Sequence, residues 1–158
     1  VMVILRRHYQ FWFTALALDK LGACIVPATF MLKEHDLEYR VNSASIKAIV
    51  TTDVGYIADV VDAIAPRCSS LEHLVLVNGG GGGMALEQEI GADGKKHHLC
   101  GRPTDPAFGA VLDGPAGVCA LAGIRDGWVD FNTSVRSAPD TFARRETKAS
   151  EPMIMYFS

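Results

Sequence analysis

Apolar and polar residues alternate in a regular way over the first half of the chain. Short apolar runs, each typical of a buried strand, occupy Val1–Leu5, Ala23–Val26, Ala48–Val50 and Leu74–Val77. Between these runs, apolar residues recur three or four positions apart, as they do on one face of an α-helix. Strands that are apolar throughout and separated by helices imply a mainly parallel sheet with helices on both faces. The pattern therefore predicts an α/β fold.

The first predicted helix follows Val1–Leu5 and ends at Gly22. Glycine is common just beyond a helix, because it adopts the left-handed conformation there without a steric penalty. The apolar face of this helix consists of Tyr9, Trp12, Phe13, Leu16 and Ala17. We expect this face to lie on the sheet, with Trp12 buried.

Two more helices are predicted between the later strands. Their apolar positions are Leu37, Val41 and Ala44 in one, and Ile57, Val60, Val61 and Ile64 in the other. The Asp53 carboxylate is expected to cap the third helix, since it can accept hydrogen bonds from the free N–H groups of the first turn. Near the end of the chain, Trp128, Phe131 and Val135 predict a short amphipathic helix. Met153–Phe157 predicts a final buried strand.

Residues 79–127 differ from the rest of the chain. They contain all but two of the 15 glycines, and they begin with the run Gly79–Gly83. No period of 2 or 3.6 is sustained here, so we expect a Gly-rich irregular insertion in one domain of residues 1–158. A helical turn around Met84–Ile90 is the only regular structure expected within it.

Composition excludes several classes of function. The net charge is −3 with no cluster of basic residues, which argues against nucleic acid and against an anionic membrane surface. No apolar run is long enough to span a bilayer. The four cysteines, without an export signal, are interpreted as reduced thiols of a cytoplasmic protein. Both ends fall within apolar runs, so we expect a fragment of a longer protein.

Few residues form a constellation with obvious chemistry. The glycine run fits a phosphate-binding pattern at Gly80, Gly82 and Ala85, but a flexible linker explains it as well. Arg6 and Arg7 follow the first strand and are candidates for an anion contact. Side chains of metal-binding type that lack a metal-binding spacing are His97, His98, Cys100 and Cys119. Acidic side chains expected on solvated helix faces are Asp36, Glu38, Asp59 and Asp62. We therefore predict neither a catalytic residue nor a metal ligand.

Both ends of the chain resemble the amino-terminal region of the AMP-binding, adenylate-forming acyl-CoA synthetases. In the first half the similar segments are Val3–Trp12, Ala15–Ala23, Pro27–Thr29, Met31–Lys33, Asp36–Arg40 and Ile46–Val50. In the second half, Gly127, Trp128 and Phe131 resemble a helix motif of the family. Glu151–Ser158 resembles the strand that leads into its phosphate loop. The acetyl- and medium-chain acyl-CoA synthetase branch is the most similar.

This resemblance implies a function and two site residues. Such enzymes activate a carboxylic acid with ATP and Mg²⁺ to an acyl-adenylate, and coenzyme A then displaces AMP. Ser158 would be the first residue of the phosphate loop, and Met31 falls where some medium-chain members contact coenzyme A. The resemblance implies an acid–thiol ligase for a short- or medium-chain fatty acid, which also needs a carboxyl-terminal domain. The isolated chain is expected to be inactive.

Two other functions remain open at this stage. The first alternative is a catalytically dead α/β interaction or regulatory module. The second is a small nucleotide-binding protein that uses Gly79–Gly83. An exposed patch at Tyr9 and Trp12 would favour the interaction module.

Overall fold

The computed structural model describes residues 1–5, 8, 10–52, 56–77, 88–90, 96–98 and 125–157. The strands are β1 (Met2–Ile4), β2 (Val26–Pro27), β3 (Ala48–Thr52), β4 (His73–Val77), β5 (Gln88–Ile90), β6 (Lys96–His98) and β7 (Trp128–Asp130). The helices are α1 (Gln10–Leu21), α2 (Glu34–Ser43), α3 (Ile57–Ile64) and α4 (Phe131–Ser137), with a 3-10 turn at Ala65–Arg67. The predicted α/β fold with a parallel sheet is confirmed.

The main sheet has five parallel strands in the order β2-β1-β3-β4-β7. Val3 of β1 pairs with Pro27 on one side and Val50 on the other. The chain therefore adds β2 to one side of β1 and continues with β3 on the opposite side. This arrangement creates a topological switch point between β1 and β3, and ligands of open α/β sheets bind at the carboxyl edge of such a point.

Apolar side chains cover both faces of this sheet. On one face, Met2 and Ile4 of β1 pack in a cluster with buried residues of α2 and α3, among them Leu37, Val41, Ile57 and Val61. On the other face, Val3 and Val50 pack with Leu18 of α1. Because β1 is apolar at every position, it is buried on both sides, as expected for a central parallel strand.

The helix α1 turns a different face to the sheet than the sequence predicts. Its buried residues are Gln10, Thr14 and Leu18, whereas Trp12 is 67% exposed and Leu16 also faces solvent. The expectation of a buried Trp12 is wrong because apolar residues occur on both sides of this helix, so their spacing does not select one face. The predicted end at Gly22 is confirmed by its φ of +66°.

The carboxyl-terminal part of the chain requires two corrections. Trp128 was expected on a helix, but it begins the strand β7, and α4 starts at Phe131. The Asp130 carboxylate accepts a hydrogen bond from the Thr133 N–H at 2.6 Å and caps α4. The segment expected as a final buried strand runs beside β2 through a parallel bridge between Ile25 and Ile154, but Tyr156 is 70% exposed. An apolar run predicts a strand without specifying whether the strand is central.

Only parts of the Gly-rich segment belong to the described residues. Strands β5 and β6 pair in antiparallel fashion, so the helical turn expected around Met84–Ile90 is wrong at Gln88–Ile90. The glycine run Gly79–Gly83 lies outside the described residues, as does the expected cap Asp53. Among the helices that the structure describes, none has the length and apolar character required to cross a membrane.

Two substitutions on α1 test which face packs on the sheet. Leu18 is buried, so Leu18→Ala is expected to lower the free energy of unfolding by about 2–5 kcal/mol through lost burial and a cavity. Trp12→Ala is expected to change it by less than about 0.5 kcal/mol. Urea unfolding of both variants measures the difference. A larger loss for Trp12→Ala than for Leu18→Ala would contradict the observed helix orientation.

Candidate functional site

Buried polar side chains in the described part of the chain are confined to two stretches. His8, Gln10 and Thr14 follow β1, and Thr51 and Thr52 end β3. The two stretches belong to the neighbouring strands that form the switch point. Within the part of the chain that the structure describes, the candidate ligand site is therefore the carboxyl edge of the sheet between β1 and β3.

Some of these buried polar side chains form hydrogen bonds and others do not. The Thr51 hydroxyl donates to the Ile4 carbonyl oxygen at 3.0 Å, which ties β3 to β1. Gln10 is fully buried and Thr14 is only 8% exposed, yet among the described residues neither the Gln10 amide nor the Thr14 hydroxyl has a hydrogen-bond partner. A buried polar group without a partner costs about 1–3 kcal/mol. These two residues are spaced by one turn of α1 and share its buried face.

The chemistry available to this pair is binding rather than catalysis. A glutamine amide donates and accepts hydrogen bonds, and a threonine hydroxyl does both, but neither group titrates near neutral pH. Sequence analysis missed Gln10 and Thr14. Their signal was present as two polar residues four positions apart in the otherwise apolar first part of α1.

Within the described part of the chain, no site is formed by the residues singled out from the sequence. Met31 lies in the turn after β2, where its N–H donates to the Thr29 hydroxyl at 3.3 Å and its side chain is 65% exposed. Its thioether offers no hydrogen-bond donor, so a coenzyme A contact there stays a prediction. Ser158 lies outside the described residues, as do Arg6 and Arg7.

The histidine and cysteine candidates give no metal site within the described ranges. Residues 96–98 form β6, in which His97 is paired with Glu89 and His98 with Gln88 across the strands. Cys100 and Cys119 lie outside those ranges. Among the described residues, no three His, Cys, Asp or Glu side chains are grouped closely enough to hold a metal ion.

Two acidic residues of α3 bind a single arginine instead of facing solvent alone. Arg125 donates from Nη2 to Asp59 Oδ1 at 2.6 Å and from Nη1 to Asp62 Oδ2 at 2.8 Å. The Trp128 indole N–H donates to the other oxygen of Asp62 at 2.7 Å. The hydrogen bond to Asp59 is the main reason that the pKa of Arg125 is raised, so the guanidinium stays charged. This cluster holds the start of β7 against α3. Arg125 does so although it lies within the predicted insertion.

A second arginine joins α2 to the 3-10 turn. Arg67 donates from Nε to Glu38 Oε2 at 2.9 Å and from Nη2 to Glu34 Oε2 at 3.4 Å. Burial, and then the charge of Glu38, raise the pKa of the neighbouring Cys68 thiol. Cys68 and Cys24 are both free thiols. Glu38, expected on a solvated face, therefore forms an ion pair with Arg67.

Comparison with known proteins identifies the class that this sequence resembles. The human protein "Acyl-coenzyme A synthetase ACSM1, mitochondrial" is 26% identical over 156 residues, which cover 99% of this chain and 19% of that protein. Human ACSM5 of the same description is 24% identical over 158 residues, 100% of this chain and 20% of that protein. Rat ACSM5 is 36% identical over 78 residues, 49% of this chain and 13% of that protein.

The sequence relatives are thus acyl-coenzyme A synthetases, and the chain spans about a fifth of the length of the human proteins it matches. No protein-family model matches the chain. A crystal structure of the anthranilate CoA ligase AuaEII in complex with anthranoyl-AMP aligns over 49% of this chain and 15% of that chain. The alignment has 24% sequence identity and a TM-score of 0.42.

Replacement of the unpartnered hydroxyl tests whether the buried polar pair is a burden on the fold. Thr14→Val keeps the side-chain shape and removes the orphaned group, so it is expected to raise the free energy of unfolding by about 1 kcal/mol. The matched control Thr51→Val removes a hydroxyl that bonds to Ile4 and is expected to lower it by about 1 kcal/mol. Urea unfolding measures both. A loss for Thr14→Val would show that its hydroxyl is hydrogen-bonded in solution.

Substitutions at Asp59 and Asp62 separate the two parts of the arginine cluster. Asp62→Ala removes the acceptor of both Arg125 and Trp128 and is expected to cost about 1.5–3 kcal/mol of unfolding free energy. Asp59→Ala removes one exposed ion pair and is expected to cost less than about 1 kcal/mol. Thermal unfolding at low ionic strength compares them. Equal effects would mean that the Trp128 hydrogen bond contributes nothing.

Proposed function

We propose that this chain is part of an acid–thiol ligase of the acyl-CoA synthetase type. The observation that supports this proposal is the sequence similarity to acyl-coenzyme A synthetases, at 36% identity over 78 residues of rat ACSM5 and 26% over 156 residues of human ACSM1. The reaction would couple a short- or medium-chain fatty acid to coenzyme A. ATP and the acid form an acyl-adenylate and pyrophosphate, and the thiol of coenzyme A then displaces AMP.

The complete reaction needs more groups than the described residues supply. Transfer to the acid leaves negative charge on pyrophosphate, which such sites stabilise with Mg²⁺, backbone N–H groups and a cationic side chain. In this proposal Ser158 begins the phosphate loop and Met31 borders coenzyme A. ATP, Mg²⁺, coenzyme A and a carboxyl-terminal domain belong to the whole enzyme. The chain spans 19% of human ACSM1, which supports the expectation that it is inactive alone.

The lengths of the matches support an insertion in this chain, which we propose lies at residues 79–127. The match of 78 residues takes up 13% of rat ACSM5, whereas the match of 158 residues takes up only 20% of human ACSM5. The matched length of this chain is therefore about twice as large in the second comparison, whereas the matched share of the relative is much less than twice as large. That difference is expected if part of this chain has no counterpart in the relatives.

One exposed surface fits the alternative of a protein-interaction module but does not discriminate between the two functions. Trp12 and Leu16 are exposed side by side on α1, and exposed aromatic side chains are enriched at protein interfaces. This surface is compatible with either function, because an enzyme that is five times longer also contains interfaces between its parts.

A cytoplasmic location stays a prediction, whereas the names of the relatives describe them as mitochondrial.

A hybrid enzyme tests the proposed ligase function. In this hybrid the chain replaces the matching part of human ACSM5. We expect it to release pyrophosphate from ATP and Mg²⁺ only when a fatty acid is present, and to release AMP when coenzyme A is added. The 158-residue chain alone should give no more pyrophosphate than a blank. Turnover by the isolated chain would contradict the proposal that it needs the rest of a synthetase.

A second hybrid keeps the ligase function testable if the first hybrid misfolds. Here only the 78-residue part that is 36% identical is exchanged into rat ACSM5. A hybrid that unfolds in one cooperative transition but releases no pyrophosphate with any fatty acid would disprove the ligase assignment and favour the interaction module.

A further inference from the structure

A segment without regular secondary structure, residues 141–148, runs across the carboxyl end of α1. The Arg145 N–H donates to the Lys20 carbonyl oxygen at 3.1 Å. A Cβ at Gly22 would lie only 2.8 Å from Cγ2 of Thr147, so the Thr147 methyl group packs closely on this glycine. We call residues 144–148 the α1 strap.

A groove of about 380 Å³ lies beside this contact, between the end of α1 and residues 147–153. The charged residues that line it are Asp19 on the side of α1, and Lys148 and Glu151 on the other side. The last carbonyl groups of a helix carry a partial negative charge. The α1 side of the groove therefore combines a carboxylate with a helix terminus of the same sign.

Two arginines precede Thr147 in the α1 strap. Arg144 and Arg145 lie three and two residues before it, both are exposed, and neither forms an ion pair with another described residue. Arginine-directed protein kinases recognise side chains at these two positions with carboxylates of their own. Thr147 is half-buried, and a local opening of a segment without regular structure would expose its hydroxyl.

Two serines in the described part of the chain also follow an arginine by three residues, but their surroundings differ. Ser43 is the last residue of α2, so the helix holds both it and Arg40. The Ser70 hydroxyl donates to the Ile46 carbonyl oxygen at 3.0 Å, and carboxylates already bind the preceding Arg67. Thr147 is therefore the best acceptor of the three.

We propose that Thr147 is a phosphorylation site for an arginine-directed serine/threonine kinase, and that the phosphate detaches the α1 strap from α1. Thr147 Oγ1 attacks the γ-phosphorus of ATP, the bond from that phosphorus to the β–γ bridging oxygen breaks, and ADP leaves. The hydroxyl proton passes to a base of the kinase. The new group carries about −1.5 to −2 charges at neutral pH. This regulation goes beyond the ligase function and does not rest on it.

The direction of the effect follows from which charges move with the α1 strap. Arg144, Arg145 and Lys148 belong to the same segment as Thr147, so they attract the phosphate whether the strap is docked or detached. Asp19 and the carboxyl end of α1 repel it only in the docked state. Phosphorylation therefore favours detachment.

Treatment of the 158-residue chain with an arginine-directed kinase tests the site. The probe is the catalytic subunit of cAMP-dependent protein kinase with Mg²⁺ and radiolabelled ATP. We expect label on Thr147, mapped by mass spectrometry, and none on Ser43 or Ser70. The matched variant Thr147→Ala is expected to lose the greater part of the label.

Amide hydrogen exchange tests the detachment. The Arg145 amide is expected to exchange at least about tenfold faster in the phosphorylated chain, because its hydrogen bond to Lys20 opens. The Ile46 amide, which bonds to the Val41 carbonyl oxygen at 2.9 Å, is the internal control and should not change. In Asp19→Asn, which removes the repelling carboxylate, phosphorylation is expected to accelerate Arg145 exchange less.

Each part of the inference has an outcome that would overturn it. Label on a peptide of residues 140–152 but not on the intact chain would show that the α1 strap does not open, and label on neither would reject the kinase class. Equal labelling of Thr147→Ala would reject the site. Unchanged Arg145 exchange after phosphorylation would reject detachment, and an equal acceleration in Asp19→Asn would reject its electrostatic cause. Because no measurement uses ligase turnover, these results are independent of the proposed function.

Discussion

The burial of β1 on both faces is the constraint on which the rest of the structure depends. Met2 and Ile4 are fully buried among residues of α2 and α3, whereas Val3 is buried on the side of α1. A three-residue strand with no polar position requires cover on both sides, so the connections that flank it must use both faces of the sheet. With β2 and β3 on opposite sides of β1, the same arrangement creates the switch point at the carboxyl edge.

Strands β1, β3 and β4 were predicted well because a continuous apolar run indicates a buried strand by itself, whereas β2 (Val26–Pro27) lies later than the predicted Ala23–Val26. The face of α1 was not predictable in the same way, since Phe11 and Ala15 partly cover the sheet while Trp12 and Leu16 are just as apolar. The helix expected at Trp128 failed for a related reason. Its first apolar position belongs to a strand, and the cap at Asp130 marks the true start of α4.

The candidate site was only partly predictable. Met31 and Ser158 came from a family resemblance, which points to positions in a sequence but not to contacts. Gln10 and Thr14 escaped notice because periodicity gives weight to apolar positions, and a polar residue on a buried face leaves no mark in that pattern. Their burial depends on how α1 is rotated, which only the structure shows.

The described residues fit a binding role, and the ligase reaction needs more than they contain. Gln10 and Thr14 can hold a polar group but cannot move a proton at neutral pH. The arginines Arg67 and Arg125 carry the positive charge that phosphates require, but carboxylates already occupy both. A phosphate could bind either guanidinium only by displacing those partners, which would also loosen α2 or β7. If the proposed ligase function is correct, the cations that bind ATP are residues other than Arg67 and Arg125.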